Sequence, residues 1–121
     1  MMDDDSVRFH VLFVCTGNLQ RSPTAEKHFQ NREGVWDTKS AGTDPVEGRV
    51  PITQKLVDWA DLVLCMEPAQ AQYLVAAFKC ASNKVKVLNI ADRFFFDDPQ
   101  LIRELESKVV PLLNKYCASR A

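Results

Sequence analysis

Apolar residues in this chain gather into short runs separated by longer amphipathic stretches. Val7–Val14, Asp61–Met66 and Lys84–Asn89 are runs of strand length, rich in Val and Leu. Their near-continuous apolar character predicts strands buried on both faces. Trp36–Ala41 predicts a fourth strand in a more polar form. Between these runs the apolar positions fall at helical spacing. Pro23–Asn31 opens with proline, whose missing N–H and fixed φ suit a first helical turn. Ile52–Trp59 carries Ile52, Leu56, Val57 and Trp59, and Pro68–Phe78 carries Tyr73, Leu74, Ala77 and Phe78. Towards the end, Leu101, Leu105, Val109, Leu112 and Tyr116 recur at three- to four-residue spacing and predict a core-facing stripe. Pro111 is placed to kink or interrupt that helix. Strands alternating with helices predict parallel βαβ units in an α/β fold, the sheet covered on both sides and its crossovers right-handed. Ligands of such sheets bind beyond the carboxyl ends of the strands. Cys15 stands at that end of the first strand.

Composition narrows the class. The chain has 121 residues, 46% hydrophobic and 26% charged, which suits one globular domain over residues 7–121 with a real core. The acidic start MMDDDS, residues 1–6, lacks the basic and apolar regions of a signal peptide and predicts a mobile tail. No apolar run approaches the roughly 20 residues that span a bilayer. A net charge of −1 gives no global basic field for nucleic acid or an anionic membrane. A cytoplasmic protein is expected, and any anion site in it must be local. Of Cys15, Cys65, Cys80 and Cys117, none forms a CxxC pair, and His10 and His28 lie away from them in sequence. Metal-ligand spacing is therefore absent, and neither a metal nor another cofactor is expected. At least three of the cysteines read as small buried hydrophobes; Cys15 is a separate case.

Cys15 lies within HVLFVCTGNLQRSPTAEKHF. The turn Thr16–Gly17–Asn18–Leu19–Gln20 leads into a helix N-terminus, where backbone N–H groups lack partners and the dipole is positive. Gly17 and Asn18 tolerate left-handed backbone, so successive N–H groups can point inward as an anion-binding nest. A phosphate fits such a cradle. Arg21 adds a planar fork able to grip two phosphoryl oxygens. The same surroundings favour a thiolate at Cys15, poised as a nucleophile towards phosphorus, and Ser22 is placed to donate to that sulfur. At the offset where Cys15 has Arg21, Cys65 has Ala71 and Cys80 has Lys86, and the chain ends before that offset from Cys117.

VLFVCTGNLQRSPTAE resembles the signature loop of the low-molecular-weight protein tyrosine phosphatases. The whole chain resembles a shorter bacterial subgroup of predicted protein tyrosine phosphatases, through KSAGT, ITQKLVDWADLVLCMEPAQ and FFFDDPQL, over Val7 to Leu113. The resemblance implies a three-layer sandwich whose four-stranded parallel sheet has the order 2-1-3-4. It also implies a phosphomonoesterase, acting on a phosphotyrosine protein or small aryl phosphate through a cysteinyl-phosphate. Cys15 would attack, Arg21 would hold the phosphoryl group, and Thr16, Gly17, Asn18, Leu19, Gln20 and Ser22 would cradle it. A positioned acid should protonate the leaving oxygen. The family places that role on the aspartate of an Asp-Pro pair, here Asp98 before Pro99, and the proline restricts Asp98 towards extended geometry. Asp92 and Asp97 compete for the role, and the short subgroup carries an acid at the Asp92 position. Ser40 in KSAGT matches a family serine that hydrogen-bonds the loop asparagine, here Asn18.

The chain also departs from the family pattern. Many members carry a second cysteine just before the signature arginine; Gln20 stands there, so a disulfide within the loop cannot form. Gln100 replaces the tyrosine that commonly follows Asp-Pro, which removes one stacking wall for phosphotyrosine. Arg49, Glu67 and Gln100 are further candidates for the mouth of the site, and Phe94–Phe95–Phe96 either wall it or pack its loop. Two other readings share the same loop. Arsenate reductases of this fold use a closely spaced cysteine pair that Cys65 and Cys80 do not match. A phosphate- or phosphoprotein-binding module would keep the nest without turnover.

Overall fold

Strand β1 (Phe9–Cys15) is buried at six of its seven positions, as a strand must be when it has neighbours on both edges and layers on both faces. The computed structural model describes residues 8–32, 36–79 and 82–118. In it, β1 pairs in parallel with β2 (Trp36–Gly42) on one side and β3 (Leu62–Cys65) on the other. Beyond β3 lies β4 (Val85–Val87), giving the order β2-β1-β3-β4 that the resemblance implied. The expected tail over residues 1–6, Cys80 and the side chain of Cys117 fall outside the described residues. Strand β4 is shorter than its apolar run, although Leu88 N and Ile90 N still donate to Cys65 O and Met66 O on either side of Asn89, which has φ 60.

Alternate side chains of β1 enter opposite layers. Phe9, Val11, Phe13 and Cys15 join Phe29, Trp36, Leu64 and Leu105 in one core, while Leu12 and Val14 join Val57, Val63, Cys65 and Leu74 in the other. Helices α1 (Arg21–Phe29) and α4 (Pro99–Ala118) cover the first face; α2 (Gln54–Trp59) and α3 (Pro68–Ala77) cover the second. His10, the half-buried position of β1, stacks on Trp59 with ring centroids 4.5 Å apart, and its Nδ1 lies 3.1 Å from the Trp59 carbonyl.

Helices α1 and α4 also differ from expectation. Helix α1 begins at Arg21 rather than Pro23, its first backbone bond running from Thr24 N to Gln20 O at 3.1 Å. Arg21, the arginine expected to grip phosphate, is therefore also the first residue of a helix. In α4 the fully buried stripe is Leu101, Leu105, Val109 and Leu113, while Leu112 and Tyr116 pack only partly against it. The helix runs through Pro111 to Ala118. Pro111 is exposed, and burial of Val109 and Leu113 on either side, about 1.5–3 kcal/mol each, offsets the lost backbone bond. No helix of the described residues is long and apolar enough to cross a membrane.

Candidate active site

Past the carboxyl end of β1 the chain folds back on itself through Asn18, whose φ of 53 lies in the left-handed region that asparagine tolerates. Its side chain holds the turn. Nδ2 donates to Ser22 Oγ at 3.1 Å and to Ser40 Oγ at 3.0 Å, and Oδ1 accepts from Val50 N at 3.0 Å. Ser40 in turn donates to Glu26 at 2.6 Å, and Arg49 Nε donates to Asn18 O at 2.7 Å. The loop is thus tied to β2, α1 and the segment after β2. The N–H of Asn18 donates to Cys15 Sγ at 3.2 Å, and Ser22 Oγ lies 3.0 Å from the same sulfur. A backbone donor and a hydroxyl converge on one thiol.

Two supports of this loop went unnoticed in the sequence. The β1–β2 register sets Gly42 beside Cys15. A Cβ at Gly42 would stand 2.4 Å from Thr16 O and 3.0 Å from Asn18 N, so only glycine lets the loop close down on β2. The other support is the start of α3. Gln70 accepts from Glu67 N at 2.9 Å, and its Nε2 donates to Thr16 Oγ1 at 3.1 Å. Glutamate three residues before glutamine at a proline-led helix start was a legible capping signal; its contact with Thr16 was not.

Arg21 is only 3% exposed. Its Nη1 donates to Ile90 O at 2.7 Å and stands 3.3 Å from Glu67 Oε1, while Nε is 3.8 Å from Asp92 Oδ1. A buried guanidinium needs such partners, and they fix its orientation. A cavity of about 250 Å³ opens over the loop, lined among others by Cys15, Leu19, Gln20, Arg21, Val46 and Asp92.

The three candidate acids go to different places. Asp92 lines the cavity with Cys15 and Arg21. Asp97, at φ 65, pairs with Lys27 at 2.7 Å. Asp98 accepts from Gln100 N at 2.9 Å and so caps the start of α4, and it does not line the cavity. Phe94 is buried in the core, Phe95 and Phe96 are exposed, and Gln100 is exposed at the helix start. Cys65 lies in the second core layer, where burial pushes its thiol up to about 12. Among the described residues, no group of three or more His, Cys, Asp or Glu is arranged to hold a metal.

The family model for low molecular weight phosphotyrosine protein phosphatase matches residues 10–51, which span the loop, Ser40 and Gly42. A protein-arginine-phosphatase of Geobacillus stearothermophilus is 32% identical over 103 residues, 66% of this chain and 69% of the relative. The chain belongs to this phosphatase family. It is accordingly a hydrolase, a protein phosphatase in the broad sense of the family. The fold agrees. The solved arginine phosphatase YwlE of Geobacillus stearothermophilus superposes with a TM-score of 0.79 at 26% identity, covering 93% of this chain and 95% of that one. The low molecular weight protein tyrosine phosphatase of T. tengcongensis shares the fold at a TM-score of 0.75 and 23% identity, over 88% of this chain and 99% of that one.

Proposed function

We propose that this protein hydrolyses aryl phosphomonoesters, phosphotyrosine in a protein above all, with Cys15 as nucleophile and Asp92 as general acid. The observation that carries the reading is that one cavity is shared by the Cys15 thiol, the Arg21 guanidinium and the Asp92 carboxyl. In the first step the sulfur forms a bond to phosphorus as the bond to the tyrosyl oxygen breaks, and Asp92 gives its proton to that oxygen. Arg21 and the loop N–H groups take up the charge on the phosphoryl oxygens. In the second step Asp92, now a carboxylate, takes a proton from water whose oxygen attacks phosphorus. The S–P bond breaks, and inorganic phosphate and the Cys15 thiolate are released. Asn18 N and Ser22 stabilise that thiolate as leaving group.

Asp92 takes precedence over Asp98 because Asp98 spends its carboxylate on capping α4. Leu19 and Val46, each 47% exposed, give the mouth apolar walls suited to an aromatic ring. A phosphoarginine side chain is the second reading, favoured by the names of the relatives. Its guanidino N–H groups would want acceptors where those two side chains stand. Arsenate reduction finds no relay in Cys65, whose side chain lies in the opposite core layer from Cys15.

Hydrolysis of phosphotyrosyl and phosphoarginyl peptides, measured side by side, tests the reading. Cys15→Ser should abolish both. Asp92→Asn should lower turnover of phosphotyrosine by about 10²–10⁴-fold, whereas Asp98→Asn, which keeps the cap, should leave it within about twofold. A larger loss in Asp98→Asn than in Asp92→Asn would reverse the assignment of the acid. Preference for phosphoarginine would reverse that of the substrate.

A further inference from the structure

We infer that the Thr24 hydroxyl positions the general acid, acting as a latch between the phosphate loop and the segment that carries Asp92. The inference rests on the Cys15–Asp92 reading above. Thr24 is fully buried on α1. Its hydroxyl donates to Gln20 O at 2.7 Å, the last residue of the loop, and accepts from Asp97 N at 2.8 Å. One oxygen thus joins the helix that begins at Arg21 to the far end of the acid-bearing segment.

That segment needs the join. Its near end is fixed by Ile90, whose N–H donates to Met66 O at 2.8 Å and whose carbonyl accepts from Arg21 at 2.7 Å. Its middle is fixed by Phe94 in the core. Its far end turns at Asp97 with φ 65, a backbone state that a residue with a Cβ occupies at a cost. Thr24 and the 2.7 Å Lys27–Asp97 ion pair hold that turn. Asp92 stands between these pins with its side chain 64% exposed, so its placement comes from the backbone on either side rather than from packing around it. Pinning both ends of the segment to α1 lets the acid and the arginine keep one spacing. A catalytic group displaced by about 1 Å can cost on the order of 10²-fold in rate.

Thr24→Val keeps the shape and removes the hydroxyl. On phenyl phosphate, whose leaving group needs a proton, kcat/KM should fall about tenfold. On 2,4-dinitrophenyl phosphate, whose leaving group does not, it should change by less than about twofold. Thr24→Ser should restore the rate. In an Asp92→Asn background, Thr24→Val should cause no further loss on phenyl phosphate, as two changes to one device are not additive. Should Thr24→Val fail to fold, Lys27→Met loosens the same turn and should shift the two esters in the same sense. Equal losses on both esters, or an added loss on top of Asp92→Asn, would overturn the latch. Amide hydrogen exchange separates the two levels of inference: the Asp97 N–H should be protected in the native protein and exposed in Thr24→Val. Rapid exchange in the native protein overturns the latch even if no ester is turned over, while absence of Cys15-dependent turnover overturns the hydrolase reading alone.

Discussion

Asn18 and Gly42 do at the level of single residues what the loop from Cys15 to Arg21 cannot do by composition alone. Asn18 accepts a left-handed backbone and binds partners on three segments, which keeps the N–H facing Cys15 in place. Gly42 leaves room for that backbone to lie against β2. Gly42→Ala should therefore destabilise the fold by about 1–3 kcal/mol through forced displacement and also weaken binding of inorganic phosphate. Urea unfolding together with a phosphate titration checks both, and an unchanged phosphate affinity would show that the loop tolerates the displacement. Cysteine chemistry divides along the same lines. Cys15 lines the cavity, whereas Cys65 is sealed in the second core with its thiol pushed up to about 12 by burial. Iodoacetamide at neutral pH should label Cys15 and spare Cys65, with added phosphate protecting Cys15; peptide mapping reads the outcome.

Between elements, a cluster of charged side chains joins the C-terminal end of α1 to α4. Glu106 on α4 receives Arg32, just beyond α1, and lies within hydrogen-bond reach of His28. The hydrogen bond from Arg32 is the main cause that lowers the Glu106 carboxyl to about 2 from an ordinary 4.5; burial opposes it, and His28 adds to the lowering. A folded-state value below the unfolded one means stability that is present in full above the ordinary range and is lost as pH falls towards about 2. The pair is partly solvent-exposed, so water screens much of its worth. Glu106→Gln should flatten the loss of stability between pH 5 and pH 3 relative to the native protein. Urea midpoints across that interval measure it, and parallel curves for the two proteins would refute the assignment. The Asp92 segment belongs to the same scale, since the elements on either side of it, not its own side chains, decide where the carboxyl stands.

At the scale of the whole molecule, a net charge of −1 is compatible with the anion site proposed at the loop between Cys15 and Arg21. The positive character needed there comes from one buried arginine and from the open end of α1 rather than from surface lysines. Binding at such a site couples directly to folding. Inorganic phosphate at a hundred times its Kd should stabilise the protein by about 2.7 kcal/mol, read as a rise in the thermal midpoint. Arg21→Ala should abolish the rise, and a rise that persists would place the anion elsewhere. The two cores on either face of the sheet make the platform rigid, because β1, which ends at Cys15, contributes to both.

Much of this architecture follows from the order of residues. Apolar runs of strand length alternating with helical spacings are enough for a parallel sheet covered on both faces, because side-chain period and chain connectivity leave few other solutions. Cys15, the turn and Arg21 lie within one short stretch, so their juxtaposition is local and legible. Contacts between distant segments were decided only by the tertiary structure. An aspartate before a proline reads first as a projected acid, and in the tertiary structure Asp98 instead accepts from Gln100 N as the cap of α4. Asp92 reached the cavity because Ile90 and Phe94 are anchored to other elements. Gly42 met Thr16 through strand register, and Thr24 met Asp97 across 73 positions of sequence. Local propensity decides what each segment becomes; which carboxyl faces the thiol depends on the burial and hydrogen bonding of residues far away in the chain.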